Sequence, residues 1–154
     1  MTSIMAAVLF LVVLAVDQAV KLYIAATMLP GESIAVIASV FHITYVLNPG
    51  AAFGIFAHQR WFFLLTAFGI LLAFFLFYKK LRSEPPLLFY GCVALMAGAM
   101  GNFIDRLRLG YVIDFFDFRV WPVFNVADIA IVAGVAGMIV SILFDGKKRT
   151  HEHA

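Results

Sequence analysis

Four apolar stretches constrain the fold of this 154-residue chain more than any other feature. They cover residues 4–26, 61–78, 86–104 and 126–144, and each approaches the roughly 20 residues that a helix needs to cross the bilayer hydrocarbon. Hydrophobic residues make up 64% of the chain and charged residues 13%, whereas soluble domains average roughly 45–50% and 25%. The sequence therefore predicts a mainly α-helical membrane protein with four transmembrane helices, in one integral membrane domain over residues 1–154.

The same composition excludes several other classes of protein. A chain this apolar cannot be intrinsically disordered, and a single cysteine, Cys92, cannot form a disulfide scaffold. No basic stripe could follow a phosphate backbone, so we expect no nucleic-acid partner. The histidines form no HExxH motif, and we expect neither a metal ion nor another cofactor.

The orientation of the spans is predicted by the basic residues near their ends. Basic clusters lie between spans two and three and after span four, at Lys79, Lys80, Arg82, Lys147, Lys148 and Arg149. Both clusters should be cytoplasmic, which places both termini in the cytoplasm. Segments 27–60 and 105–125 then lie on the outer face, where the second segment's arginines are expected to pair with its aspartates.

Two parts of the outer segments alternate at period two, as β-strands do. In residues 41–48 the apolar positions alternate with more polar ones, and the turn 48–50 follows. In residues 112–117, alternation places Asp114 and Asp117 on opposite faces. We therefore expect a short, half-buried strand in each outer segment.

Charged residues inside a span are costly and mark candidate functional positions. Asp17 and Lys21 lie four residues apart in the first span, so they can form an ion pair on one helical face. We favour an architectural role for this pair. The alternative from another functional class is a small four-span transporter or channel subunit that uses Asp17 and Lys21 as an ion relay.

A second polar cluster ends the third span. Asn102, Asp105 and Arg106 share one helical face and can satisfy one another by hydrogen bonds. We expect Arg106 to hold the neighbouring Asp105 carboxylate ionised, which suits a structural role better than proton transfer.

Two aspartates remain as candidates for acid–base chemistry. Asp128 follows Asn125 by three residues at the start of span four, a spacing that is also typical of ordinary helix capping. Asp114 is flanked by apolar residues, so desolvation should favour its protonated form. If the fold brings them together, they could act like the paired carboxylates of aspartic proteases, although capping and an inactive scaffold stay open.

Five motifs in order make the chain resemble the lipoprotein signal peptidase family, also called type II signal peptidase or prolipoprotein signal peptidase. The motifs are Asp17-Gln18 with Lys21, Asn48-Pro49-Gly50-Ala51-Ala52-Phe53-Gly54, Gly101-Asn102-Phe103-Ile104-Asp105-Arg106, Val112-Ile113-Asp114-Phe115 and Phe124-Asn125-Val126-Ala127-Asp128. Between Asp114 and Asp128 the chain has only residues 115–127, a shorter connection than in many relatives. This departure concerns the shape of the outer lip of the site, not the identity of the two acids.

The resemblance implies an aspartic endopeptidase of the bacterial cytoplasmic (inner) membrane, with its active site near the outer face and Asp114 and Asp128 as the catalytic pair. It also implies a small extracytoplasmic β-sheet beside the four transmembrane helices. Its substrates would be diacylglyceryl-modified prolipoproteins, cut just before the lipidated cysteine in contact with membrane lipids, and the cyclic peptide globomycin would inhibit it. The implied supporting positions are Asp17, Lys21, Asn48, Gly50, Asn102, Asp105, Arg106 and Asn125. Of these, we expect Asn125 to orient Asp128 and Asn48 to bond the substrate backbone.

Overall fold

A computed structural model describes residues 2–50 and 59–152. Four long helices and three strands follow one another along the chain. The helices are α1 (Thr2–Thr27), α2 (Arg60–Leu81), α3 (Pro86–Leu109) and α4 (Val126–Glu152), and the strands are β1 (Ser33–Ile37), β2 (Phe41–Asn48) and β3 (Val112–Asp117). In α1, α2, α3 and the part of α4 from Val126 to Phe144, length and hydropathy suffice to cross a membrane, which confirms the predicted fold class.

Local chemistry explains where α3 begins and ends. Pro86 occupies the first helical turn, where its missing N–H costs nothing. Gly110 ends the helix in the left-handed conformation, at φ 83°, and its N–H bonds the carbonyl of Arg106. The helix thus continues past the predicted limit of the third span at residue 104. Asp105 and Arg106 are therefore helical, as their predicted helical face shared with Asn102 requires, although they lie beyond that limit.

The helix α3 is the centre of the bundle and contacts the other three helices. Its apolar window is 56% buried, against at most 22% for the others, whose remaining apolar surface is exposed. Close packing with α4 depends on glycine, because a Cβ atom at Gly91 would lie 2.7 Å from the carbonyl oxygen of Gly134. Small residues at such crossings let helix backbones approach closely in membranes.

The three strands form an antiparallel sheet in the order β1-β2-β3. The strands predicted at 41–48 and 112–117 are both present, whereas β1 was not predicted. An apolar cluster of Ile24, Met28, Tyr45, Ile113 and Phe115 joins the sheet to the last turn of α1. In the register of β2 and β3, Val46 lies opposite Asp114 and His42 opposite Asp117. The sheet thereby carries Asp114 to the end of the bundle where α4 begins.

Candidate active site

A cavity of about 290 Å³ lies where the sheet meets α3 and the start of α4. It contains both candidate acids, Asp114 and Asp128. The other described lining residues are Asn48, Gly50, Asn102, Arg106, Val112, Trp121, Pro122, Val123, Phe124, Ile131 and Val132. Polar groups from four sequence motifs therefore converge at one position in an otherwise apolar wall.

Asp114 is a nearly buried carboxylate, with 2% of its surface exposed. Its two oxygens accept amide N–H bonds, Oδ2 from Asn48 at 2.8 Å and Oδ1 from Asn125 at 2.6 Å. Burial, and after it the negative charge of Asp128, raises the pKa of Asp114 to about 7. This direction agrees with the protonated form expected from the apolar neighbours of Asp114.

Asp128 and Asn125 form a reciprocal cap at the start of α4. The Asn125 side chain accepts the Asp128 backbone N–H at 2.9 Å, and Asp128 Oδ2 accepts the Asn125 backbone N–H at 3.1 Å. Such a capping box fixes the first turn of a helix. The remaining carboxylate oxygen, Oδ1, accepts the Asn102 amide N–H at 2.8 Å. Asp128 is thus a cap and a cavity-lining acid at the same time.

Asn125 connects the two acids. Its side chain is fully buried; its carbonyl oxygen caps the Asp128 N–H, while its NH₂ group donates to Asp114. The same NH₂ group is 3.1 Å from Asn102 Oδ1 and 3.3 Å from the carbonyl oxygen of Ile113. Asn125 therefore sets the position of Asp114 relative to Asp128, a larger role than orienting Asp128 alone.

Lys21 forms a second layer of polar contacts behind the cavity. Its ammonium group lies 2.9 Å from Asp17 Oδ2, from Asp105 Oδ2 and from Asn102 Oδ1. The bond to Asn102 Oδ1 turns the Asn102 NH₂ group toward Asp128. The predicted Asp17–Lys21 ion pair is present, and through Asn102 it also orients the candidate site.

The expected contacts among Asn102, Asp105 and Arg106 need correction, because each of the three bonds to partners outside this group. The ion-pair partner of Asp105 is Lys21, not Arg106. Arg106 instead donates to the carbonyl oxygen of Gly50 at 2.8 Å, and its guanidinium lies 4.3 Å from the ring centroid of Phe63. Successive residues of a helix point about 100° apart, so neighbours in sequence need not share a partner.

Asp17 ties α1 to the start of α4. Its Oδ1 accepts the backbone N–H of Ala127 at 2.9 Å, one of the unpaired donors of the first turn. Gln18 donates to Asp17 and Asp105 at 3.2 and 3.1 Å. The pair of Asp17 and Lys21 therefore fastens α1 to its neighbours, as the architectural interpretation predicts.

Asn48 contacts Asp114 directly, and its expected bond to the substrate backbone stays a prediction. Its NH₂ group donates to Asp114, and its carbonyl oxygen accepts the Gly50 backbone N–H at 2.9 Å. Both ends of the amide are thus engaged within the protein. The rest of this motif, residues 51–54, lies outside the described residues.

Residues 121–124 form one wall of the cavity, and of these only Phe124 belongs to a motif identified in the sequence. Phe116 and Phe124 exchange backbone hydrogen bonds of 2.8 and 3.1 Å, which close a short loop between β3 and α4. Asp117 pairs with Arg119 and accepts the Thr44 hydroxyl at 2.7 Å. The expected pairing of the outer arginines with aspartates therefore holds for Arg119, whereas Arg106 donates to Gly50. Trp121 and Phe124 lie between Asp114 and Asp128 in the sequence, and this position could have indicated that they line the cavity.

Comparisons with known proteins agree with this arrangement. The sequence model of a family described as signal peptidase (SPase) II matches residues 9–144. A lipoprotein signal peptidase of Pelotomaculum thermopropionicum is 45% identical over 141 residues, which cover 92% of this chain and 93% of the relative. One of Moorella thermoacetica is 49% identical over 127 residues, covering 82% and 85%.

Solved structures show the same fold. A bacterial membrane enzyme solved at 2.3 Å superposes with a TM-score of 0.86 and 35% identity, covering 94% of this chain and 90% of that one. A second, at 1.9 Å, gives a TM-score of 0.79 with 34% identity, over 90% and 92% of the two chains. The chain belongs to the signal peptidase II family and is a membrane-bound peptidase.

Proposed function

We propose that this protein is an aspartic endopeptidase that removes the signal peptide from diacylglyceryl-modified prolipoproteins by cutting before the lipidated cysteine. The observation that carries the proposal is the bridge of Asn125 between Asp114 and Asp128 within one cavity. Two carboxylates held in this way can share acid and base roles. The names of the relatives support the substrate class.

The two aspartates divide the work of hydrolysis. With its pKa raised to about 7, Asp114 is suited to hold the proton and to donate a hydrogen bond to the scissile carbonyl oxygen. Asp128 then accepts a proton from the attacking water. This proton passes to the cysteine amide nitrogen as the C–N bond breaks, which yields a carboxylate on the signal peptide and a free amine on the lipoprotein.

The supporting residues hold the pair in position. Asn102 and Asn125 bond the two carboxylates, and Lys21 fixes the orientation of Asn102. Groups aligned in advance lower the reorganisation that the transition state requires. The surrounding elements are anchored by Asp17, Asp105, Arg106 and Gly50. Every supporting position named from the resemblance therefore has defined contacts.

We further propose that the protein forms a single domain in the bacterial cytoplasmic membrane with both termini inside. The basic cluster Lys79, Lys80 and Arg82 lies at one end of the α2–α3 pair, and Asp105 lies near the opposite end of α3. By the positive-inside rule the basic end is cytoplasmic. The active site then lies near the outer face, where water reaches it and lipidated substrates enter from the bilayer.

The ion-relay alternative is not favoured. Asp17 and Lys21 lie in the last half of α1 and are bonded to Asp105 and to the first turn of α4. A transporter would place its binding groups near the bilayer midplane. These charges are instead used to join three helices beside the cavity.

The proposed activity is tested by incubating the purified protein in detergent with a diacylglyceryl-modified prolipoprotein. The matched control is the same prolipoprotein without the lipid. We expect one cut before the cysteine in the modified substrate only, and globomycin, which we propose binds the aspartate cavity, should block it. Intact modified substrate after exhaustive incubation would refute the proposal.

A further inference from the structure

A groove of about 390 Å³ leads away from the catalytic cavity along α4. Its described lining residues are Trp121, Phe124, Asp128, Ile129, Val132, Ala133 and Ala136. Trp121, Phe124, Asp128 and Val132 also line the cavity that holds Asp114. The two spaces therefore meet at Asp128, with the aromatic rings of residues 121 and 124 bordering both.

The groove follows the axis of α4 into the membrane. Asp128, Val132 and Ala136 lie four residues apart on one helical row, which spans about 12 Å at 1.5 Å per residue. The small side chains of Ala133 and Ala136 make the depression. The next residues exposed to lipid along the helix are the larger Ile139 and Val140, at 52% and 41% exposure.

The chemistry of the groove restricts what can occupy it. Among the described lining residues, Asp128 alone is charged, and it lies at the end that joins the cavity. An occupant must therefore be apolar along the groove and polar only at the level of Asp128. An acyl chain attached to a polar glyceryl group meets both conditions, because it is apolar along its length and polar only at one end.

We propose that this groove binds one acyl chain of the substrate's diacylglyceryl group, an inference that rests on the proposed function. The lipidated cysteine directly follows the scissile bond, so its lipid begins next to the aspartates, where the groove starts. Binding the chain along α4 would hold the cysteine at a fixed distance from Asp128. The groove thus provides a physical reason for a requirement for lipidated substrate.

A kinetic comparison tests this site with a matched pair of variants. Ala136→Trp fills the groove, whereas Val135→Trp adds the same ring to a lipid-exposed position of α4 outside it. With a substrate bearing acyl chains of about 16 carbons, Ala136→Trp should lower kcat/KM at least about tenfold through KM, and Val135→Trp should stay within about twofold.

Chain length separates the proposed site from general damage to the protein. A substrate with acyl chains of about 4 carbons should not reach position 136, so Ala136→Trp should cut it within about twofold of the wild-type rate. An equal loss with long and short chains would overturn the proposal. So would an unchanged rate of Ala136→Trp on the long-chain substrate.

Crosslinking tests the groove without cleavage. The probe is a diacylglyceryl-cysteine peptide with a diazirine near the end of one acyl chain, applied to wild type and to Ala136→Trp. Labelling of residues 126–144 in wild type, and its loss in the variant, is expected; labelling confined to α1 or α2 would refute the site. Labelling of α4 without any cleavage of prolipoprotein would refute the proposed function alone, and cleavage without labelling of α4 would refute the groove alone.

Discussion

At the scale of single residues, the distribution of positive charge explains why Asp114 can serve as an acid. Lys21 is bonded to Asp17 and Asp105, and no salt bridge joins Asp114 to a cation within the described residues. Asp114 is therefore buried with amide donors only. Lys21, whose charge lowers the pKa of Asp114, is bonded to other carboxylates behind the site, and Arg106 in the cavity donates to the carbonyl oxygen of Gly50.

This arrangement leads to a pH dependence of the reaction. The pKa of Asp114 is raised to about 7, so the pair retains its proton below that pH and loses it above. We expect kcat/KM to fall about tenfold per pH unit on the alkaline side. A profile measured between pH 5 and 9 in detergent checks this; a rate that is constant or still rises across the alkaline range would contradict it.

Lys21 is expected to contribute strongly to stability. It is 1% exposed, and Lys21→Met would leave the carboxylates of Asp17 and Asp105 buried without a cation. Breaking one partner out of a buried ionic cluster typically costs about 3–5 kcal/mol. Thermal unfolding in detergent should show a marked fall in Tm for Lys21→Met and little change for the exposed Lys80→Met; equal Tm values would contradict the assigned role.

At the scale of elements, the contact between α3 and α4 positions the catalytic aspartate. A Cβ atom at Gly98 would collide with the carbonyl oxygen of Ala127 and lie 2.8 Å from Ile131. Gly134 is equally close to α3, since its Cβ would lie 2.5 Å from the carbonyl oxygen of Gly91. The first turn of α4, with Asp128, is thus held directly against α3.

We therefore expect Gly98→Ala to displace the start of α4 and to lower kcat by at least about tenfold, because small errors in the position of a catalytic group are costly. Gly69→Ala is the matched control, because a Cβ at Gly69 meets nothing within 4 Å. That variant should keep wild-type activity. If both variants kept wild-type turnover, close packing at Gly98 would not matter for catalysis.

Local sequence patterns predicted much of the architecture. The remaining features depend on contacts between segments that lie far apart in the sequence. Apolar length predicted the helices, and alternation predicted β2 and β3. The continuation of α3 to Leu109 was missed because apolar length marks the hydrocarbon boundary, whereas the backbone ends the helix only at Gly110. The pairing of Asp105 with Lys21 crosses 84 positions from α1 to α3, which no local spacing reveals.

In the candidate site, too, local sequence patterns predicted some features, and contacts between distant segments determined the others. Spacing alone indicated the cap of Asn125 on Asp128, and apolar flanks indicated the raised pKa of Asp114. The contact of Asn48 with Asp114 depends on the pairing of β2 with β3. The sequence therefore predicted that Asn48 lies near the site, but it did not predict the contact with Asp114. The aromatic wall at Trp121 carried no recognised motif.

At the scale of the whole molecule, the proposed orientation can be tested by chemical accessibility. Val120 is 91% exposed at the active-site end, and Glu84 lies beside the basic cluster between α2 and α3. In a Cys92→Ala background, Val120→Cys should react with a membrane-impermeant maleimide on spheroplasts, whereas Glu84→Cys should react only after lysis. The reverse pattern would place the active site inside the cell.

Asp114 and Asp128 together perform the hydrolysis in the proposed mechanism. Its most direct test is the rate of cleavage of a diacylglyceryl-modified prolipoprotein by wild type, Asp114→Asn and Asp128→Asn, with Glu84→Gln as a control carboxyl variant and thermal unfolding to verify folding. We expect each aspartate variant to fold and to lose at least about a thousandfold in kcat, because residues that act as a unit fail together. Cleavage at the wild-type rate by either variant would contradict the account.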